Sequence, residues 1–171
     1  MIRFIKKFAV FFIAALVLTF IWFKTAGAAE TQDAARLEAL AKRLNDFTSL
    51  EADFTQKRTL GAAGRTLTST GTLALTGDGA FSWVQKTPFV QTVSLKDAAA
   101  LQDAFDYTLV GGEKPADAWT ITLRARDEAL GRILGTVTLK GSEYVESIRM
   151  SPSNDNVTDM ILSNVRIVKG A

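Results

Sequence analysis

The chain has 171 residues, 22% of them charged and 47% hydrophobic, enough for one globular domain of ordinary size. It contains no histidine and no cysteine, which excludes thiol nucleophiles, histidine general bases, disulfides and the common His/Cys zinc sites. Its formal charge of +2 is an N-terminal effect: Arg3, Lys6, Lys7 and Lys24 all precede Glu30, and without them 16 basic residues stand against 18 acidic ones, so no nucleic-acid-binding surface is expected.

Residues 1–29 read as a secretory signal. Arg3, Lys6 and Lys7 form a basic start, Phe8 to Phe23 is apolar, and "AGAAE" offers small residues for cleavage. The alternative is an uncleaved anchor: the apolar run is slightly short for a spanning helix, but Lys24 stands between it and the cleavage site. Residues 30–171 would then form one exported domain, periplasmic if the signal is cut and tethered to the membrane if it is not.

From Thr31 to Leu50, apolar residues recur at three and four: Leu37, Leu40, Ala41, Leu44, Phe47 and Leu50, with charged residues between them. The spacing predicts one amphipathic helix. Strict alternation takes over at "LEADFTQKR", with Leu50, Ala52, Phe54 and Gln56 on one face. "LGAAGR" is a turn, and "TLTSTGTLALT" a strand with Leu67, Ser69, Gly71, Leu73 and Leu75 in phase. After "GDG" come Phe81 and Trp83, then Pro88, which breaks or edges the next strand, "FVQTVSL". A short second helix is predicted from Asp97, a candidate N-cap, to Ala104. Strand patterns resume at "FDYTLV", "AWTITLRA", "ILGTVTLKG", "YVESIRMS" and "VTDMILSNVRIV", separated by turn chemistry that includes the charged stretch "RDEALGR", read as a solvated loop.

About nine strands and two helices give an α+β class, mainly antiparallel β. The expected architecture is an unclosed half-barrel sheet, its concave face covered by the N-terminal helix and the short second helix. Acidic residues fall singly along strands and loops, so paired-carboxylate chemistry is not supported and no enzyme, cofactor or metal is expected.

The succession of Phe54 and Gln56, Gly71 and Leu73, Phe81 and Trp83, and Pro88 resembles the LolA-like periplasmic outer-membrane lipoprotein carrier family. There an N-terminal helix leads to an F-x-Q strand, a G-x-L strand, an F-x-W strand and a nearby proline. The match runs from about Leu37 to Leu95, and the second half is similar to a short LolA-related subgroup. The resemblance implies a carrier or chaperone that holds acyl chains in an apolar cavity and passes them toward the outer membrane. Cargo would be an acylated lipoprotein or lipid, received from an inner-membrane donor and released to an outer-membrane acceptor by a monomer.

Phe54, Leu73, Phe81, Trp83, Phe89, Trp119, Ile121 and Leu123 are the candidate cavity walls, although inward rings of a β-domain equally serve as sealed core. Leu37, Leu40, Leu44 and Phe47 are the candidate lid stripe. Where the family has an Arg-Pro pair ahead of the F-x-W, this chain has Gly77 and Asp78, so a lid held by that arginine is not expected. A second reading of the same fold is a lipid-sensing or protein-interaction module that reports to an envelope partner.

Overall fold

The computed structural model describes residues 31–44, 46–61, 64–77, 80–95, 105–114, 116–152 and 156–169. Helix α1 (Thr31–Leu44) is followed by strands β1 (Ser49–Leu60), β2 (Arg65–Thr76), β3 (Phe81–Thr87), β4 (Gln91–Leu95), β5 (Phe105–Gly111) and β6 (Trp119–Ala125). A second helix, α2 (Glu128–Leu134), then precedes β7 (Thr136–Gly141), β8 (Val145–Ser151) and β9 (Val157–Val168).

All nine strands belong to one antiparallel sheet, ordered β4-β3-β2-β1-β9-β8-β7-β6-β5, whose two edges do not meet. It is the unclosed, mainly antiparallel sheet with helices that the alternation predicts. Alternate residues point to opposite faces of a strand, so one face of this sheet collects the core. Leu50, Ala52 and Phe54 from β1 join Leu73 and Leu75, Phe81 and Trp83, then Met160 and Leu162. Ile148, Met150, Val137, Leu139, Trp119, Ile121, Leu123, Phe105 and Leu109 continue the buried face to the other edge.

The opposite face is polar. Arg166 reaches Glu51 at 3.0 Å, Asn164 donates to Asp53 at 2.8 Å, and Arg149 reaches Asp159 at 3.1 Å. These exposed pairs contribute about 0–1 kcal/mol each.

Three sequence expectations about helices are corrected here. Helix α1 stops at Leu44 instead of running to Leu50, because β1 begins at Ser49 and recruits Leu50 opposite Leu75, which leaves the link no room to stay helical. Phe47 is therefore not a helix residue; it is buried in the link between α1 and β1. "RDEALGR" is not a loop. Asp127 caps α2 by accepting from the Leu130 N–H at 2.8 Å, Gly135 closes it with a positive φ (62°) and its N–H on the Gly131 carbonyl, and Leu134 is buried. The strand predicted from Ile133 accordingly begins only at Thr136. The short helix expected over Asp97–Ala104 lies outside the described residues.

Candidate functional site

Antiparallel register sorts the inward face of β1, β2 and β3 into rows. Leu50, Leu75 and Phe81 form the first row, Ala52, Leu73 and Trp83 the second, and Phe54, Gly71 and Gln85 the third. Beyond them the face turns polar, with Gln56 opposite Ser69 and then Arg58 opposite Leu67.

The Phe54 ring lies over Gly71, the one position in its row without a side chain, and stacks on Trp83 with centroids 3.7 Å apart and planes 19° apart. Phe54, Leu73, Phe81 and Trp83 are thus brought together on one half of the sheet, while Trp119, Ile121 and Leu123 lie in one inward row of β6 on the other half. The two tryptophans differ. Trp119 donates its indole N–H to the Ser142 carbonyl at 2.7 Å, whereas the Trp83 indole N–H is buried with no hydrogen-bond partner. A buried donor left unpaired costs about 1–3 kcal/mol, and a ligand carbonyl would satisfy it.

Phe89 does not join these walls. The inward phase of β3 ends at Gln85, whose side-chain amide donates to the Phe89 carbonyl at 3.1 Å; the Thr87–Pro88 peptide turns the chain, and the Phe89 ring is 78% exposed. Gln56 and Gln85 are buried, and burial lowers the pKa of the half-buried Arg58 guanidinium from its ordinary value by desolvation.

Helix α1 covers the inward face with Leu37, Leu40, Ala41 and Leu44, each leucine contributing about 1.5–3 kcal/mol of apolar burial. Two arginines seven residues apart, hence on one side of the helix, latch it. Arg36 Nη2 donates to the Gly111 carbonyl at 3.1 Å and Arg43 Nη2 to the Gly112 carbonyl at 3.2 Å. Arg36 also lies 3.7 Å from Glu113. Both glycines have φ near +75° (78° and 72°), a left-handed pair at the end of β5 that a side chain would strain. The latch joins residues about seventy positions apart, and no local sequence signal announces it.

Where α1 ends, a cleft of about 300 Å³ opens. Its floor is apolar, formed by Phe47, Leu50, Leu75, Val145, Leu162 and Ile167, and Arg43, Asp46, Glu143 and Lys169 stand on its rim. That volume is at the lower end for a small-molecule site. Of the residues singled out from sequence, Leu44 and Phe47 line the cleft; the walls Phe54, Leu73, Phe81 and Trp83 do not, Phe81 ending the first row beside Leu75 and the others forming the next rows inward. Leu50 and Leu75, absent from the candidate walls, also line it; they stand in phase with Phe54 and Leu73, two rows and one row nearer the opening.

Among the described residues no group of acidic side chains is placed to hold a metal ion, and no helix is long and apolar enough to cross a membrane.

The chain matches no family model, and no curated protein matches it. Solved structures of similar arrangement include MucB in complex with MucA(peri), at 17% identity over 82% of this chain with a TM-score of 0.45. This chain spans 56% of that one. A putative outer membrane lipoprotein-sorting protein domain from Vibrio parahaemolyticus is 8% identical over 80% of this chain and 92% of its own, with a TM-score of 0.34. For a LolA superfamily protein from Nitrosomonas europaea the values are 6%, 78% and 94%, with a TM-score of 0.30. At these identities each likeness is one of fold alone.

Proposed function

We propose that the protein is a periplasmic carrier that shelters acyl chains of a lipoprotein or other lipid beneath α1 and passes them toward the outer membrane without chemical catalysis. Residues 1–29 would direct its export and residues 30–171 form the carrier, receiving cargo from an inner-membrane donor and yielding it to an outer-membrane acceptor. The observation that carries this reading is how the inward face is covered: one amphipathic helix, latched by two hydrogen bonds at the end of β5, buries its leucines in the same core as the leucine and aromatic rows of the sheet, and an apolar cleft already opens at its end.

At about 0.8 kcal/mol per methylene, a chain of about a dozen needs roughly 10 kcal/mol of apolar shelter to cross water. The cleft alone is small for that task. Lifting α1 would extend it through the Leu50–Leu75–Phe81 row to Trp83, whose free indole N–H awaits an ester or amide carbonyl.

Native mass spectrometry of the protein taken from its own envelope without detergent tests the reading. A co-purifying acylated species is expected; a bare mass together with no uptake of added acyl lipids would overturn it. The latch supplies a second prediction. Hydrogen bonds from charged donors contribute about 1.5–3 kcal/mol each when shielded, less at this half-exposed site, so Arg36→Ala combined with Arg43→Ala should speed uptake of a fluorescent fatty acid about tenfold while the sheet stays folded. Unchanged uptake kinetics would remove the helix from the role of gate.

A further inference from the structure

Most exposed apolar side chains here are scattered: Val110 lies on β5, Ile133 on α2, and Ile161 and Val168 seven residues apart on β9. Phe89 and Val90 are different. They are adjacent, 78% and 82% exposed, in the turn between β3 and β4.

Register places that turn against a second projection. The β2–β3 pairing ends at Thr70 and Thr87, whose hydroxyls meet at 2.7 Å, while β1 and β2 continue as a hairpin through the pairs Gln56–Ser69, Arg58–Leu67 and Leu60–Arg65. Both the hairpin tip and the Phe89–Val90 turn therefore rise from the same end of the sheet, away from the cleft. The hairpin's inward face carries Leu67, 54% exposed, between the half-buried Arg58 and the exposed Arg65. The Gln85 amide holds the Phe89 carbonyl, so the turn leans toward that same face.

The charge of these two turns is mostly of one sign. From Lys57 to Thr92 the described residues include Lys57, Arg58, Arg65 and Lys86 and no acidic side chain; the acidic neighbour across the ladder is Asp159 of β9, opposite Lys57 and bonded to Arg149. Among the described residues none of these four makes an ion pair. Elsewhere four exposed arginines are paired, Arg126 with Asp106, Arg132 with Glu128, Arg149 with Asp159 and Arg166 with Glu51, while the exposed Arg124 stands apart from this end on β6.

We propose that this end of the sheet docks reversibly on an anionic phospholipid surface, with Phe89 and Val90 entering the boundary between headgroups and acyl chains and the four cations lying against the headgroups. An aromatic beside an aliphatic side chain on a tight turn enters that boundary without exposing strand backbone to it. Unpaired cations around it gain from phosphate what they lack within the protein. Two apolar side chains and a few charges are too little for permanent anchoring, which suits a visitor to the membrane rather than a resident. The surface is remote from the cleft, and the inference stands whether or not the protein carries lipid.

The test is co-sedimentation of the chain from Glu30 onward, which retains every strand and the whole described core, with vesicles of phosphatidylcholine alone or mixed with phosphatidylglycerol. Binding is expected only where phosphatidylglycerol is present. Phe89→Asp with Val90→Asp should weaken it at least tenfold, and Arg65→Gln and Lys86→Gln about fivefold each. All four side chains are exposed and the Gln85 bond uses the Phe89 backbone, so circular dichroism should report an unchanged fold. No binding to the mixed vesicles, equal binding to both kinds, or binding unaffected by the changes at positions 89 and 90 would overturn the proposal. Fatty-acid uptake measured on the same variants should stay at the parent's level, which separates this surface from the cleft.

Discussion

Trp83→Ala is expected to lower the stability of the protein by about 3–5 kcal/mol, a large part of the 5–15 kcal/mol that holds an ordinary domain folded. The ring is 1% exposed, and its removal leaves Phe54 with no stacking partner and a void across the second and third inward rows. Urea unfolding measures this directly through the midpoint. Trp83→Phe separates packing from hydrogen bonding. It keeps an aromatic face for Phe54 and deletes a donor that is unpaired, so its stability should fall within about 1 kcal/mol of the parent, the small void offsetting the relieved N–H. If the indole N–H binds a cargo carbonyl, the same variant should lose about five- to tenfold in affinity for an acyl ester, the worth of one hydrogen bond. Equal affinity in the two proteins would make Trp83 a core residue and nothing more.

Gly71→Ala should cost at least about 3 kcal/mol, above the usual range for one added methyl group. A Cβ at this position would collide with the Val84 carbonyl of the neighbouring strand and stand 2.7 Å from two carbons of the Phe54 ring. The first obstacle is ladder backbone and cannot swing away. The second is a ring held against Trp83, so relief requires either parting β2 from β3 or undoing the stack. Near-ultraviolet circular dichroism, which reads the coupled rings, should lose intensity in the variant even under conditions where the sheet persists. A loss of less than about 1 kcal/mol with the aromatic signal intact would show that the face is looser than the register implies.

The sheet was legible because alternation is a property of each strand taken alone. From "LEADFTQKR" to "VTDMILSNVRIV" most of the in-phase apolar residues are those that the fold buries, Leu67 near the tip of the β1–β2 hairpin being exposed. Helix limits were harder for a specific reason. Phe47 and Leu50 continue the three-and-four spacing of α1 by coincidence, Leu50 being already the first inward residue of β1. In α2 the signals were present but short: Asp127, Leu130, Leu134 and Gly135 supply a cap, an apolar pair four apart and a stop, set in a charged stretch that reads as solvent-facing. Phe89 misses the wall because the strand after Pro88 begins at Gln91, which leaves Phe89 and Val90 in the turn. The cleft and the latch were out of reach for another reason. Each exists only where elements distant in sequence meet: Arg36 and Arg43 on one side, Gly111 and Gly112 on the other; Leu50 and Leu75 facing Val145 and Ile167.

The neighbours of β1 carry a consequence for how the protein comes to be folded. On one side β1 pairs with β2 through a short turn, but on the other it pairs with β9, Leu50 opposite Ile167 and Thr59 opposite Val157, at the far end of the chain. The β1–β4 meander and the β5–β9 meander can each begin locally, yet the seam that makes them one sheet joins the first strand to the last. Closing so long a loop is entropically expensive and slow. A chain emerging N-terminus first therefore cannot complete its sheet until the final strand is free, and until then it remains threadable.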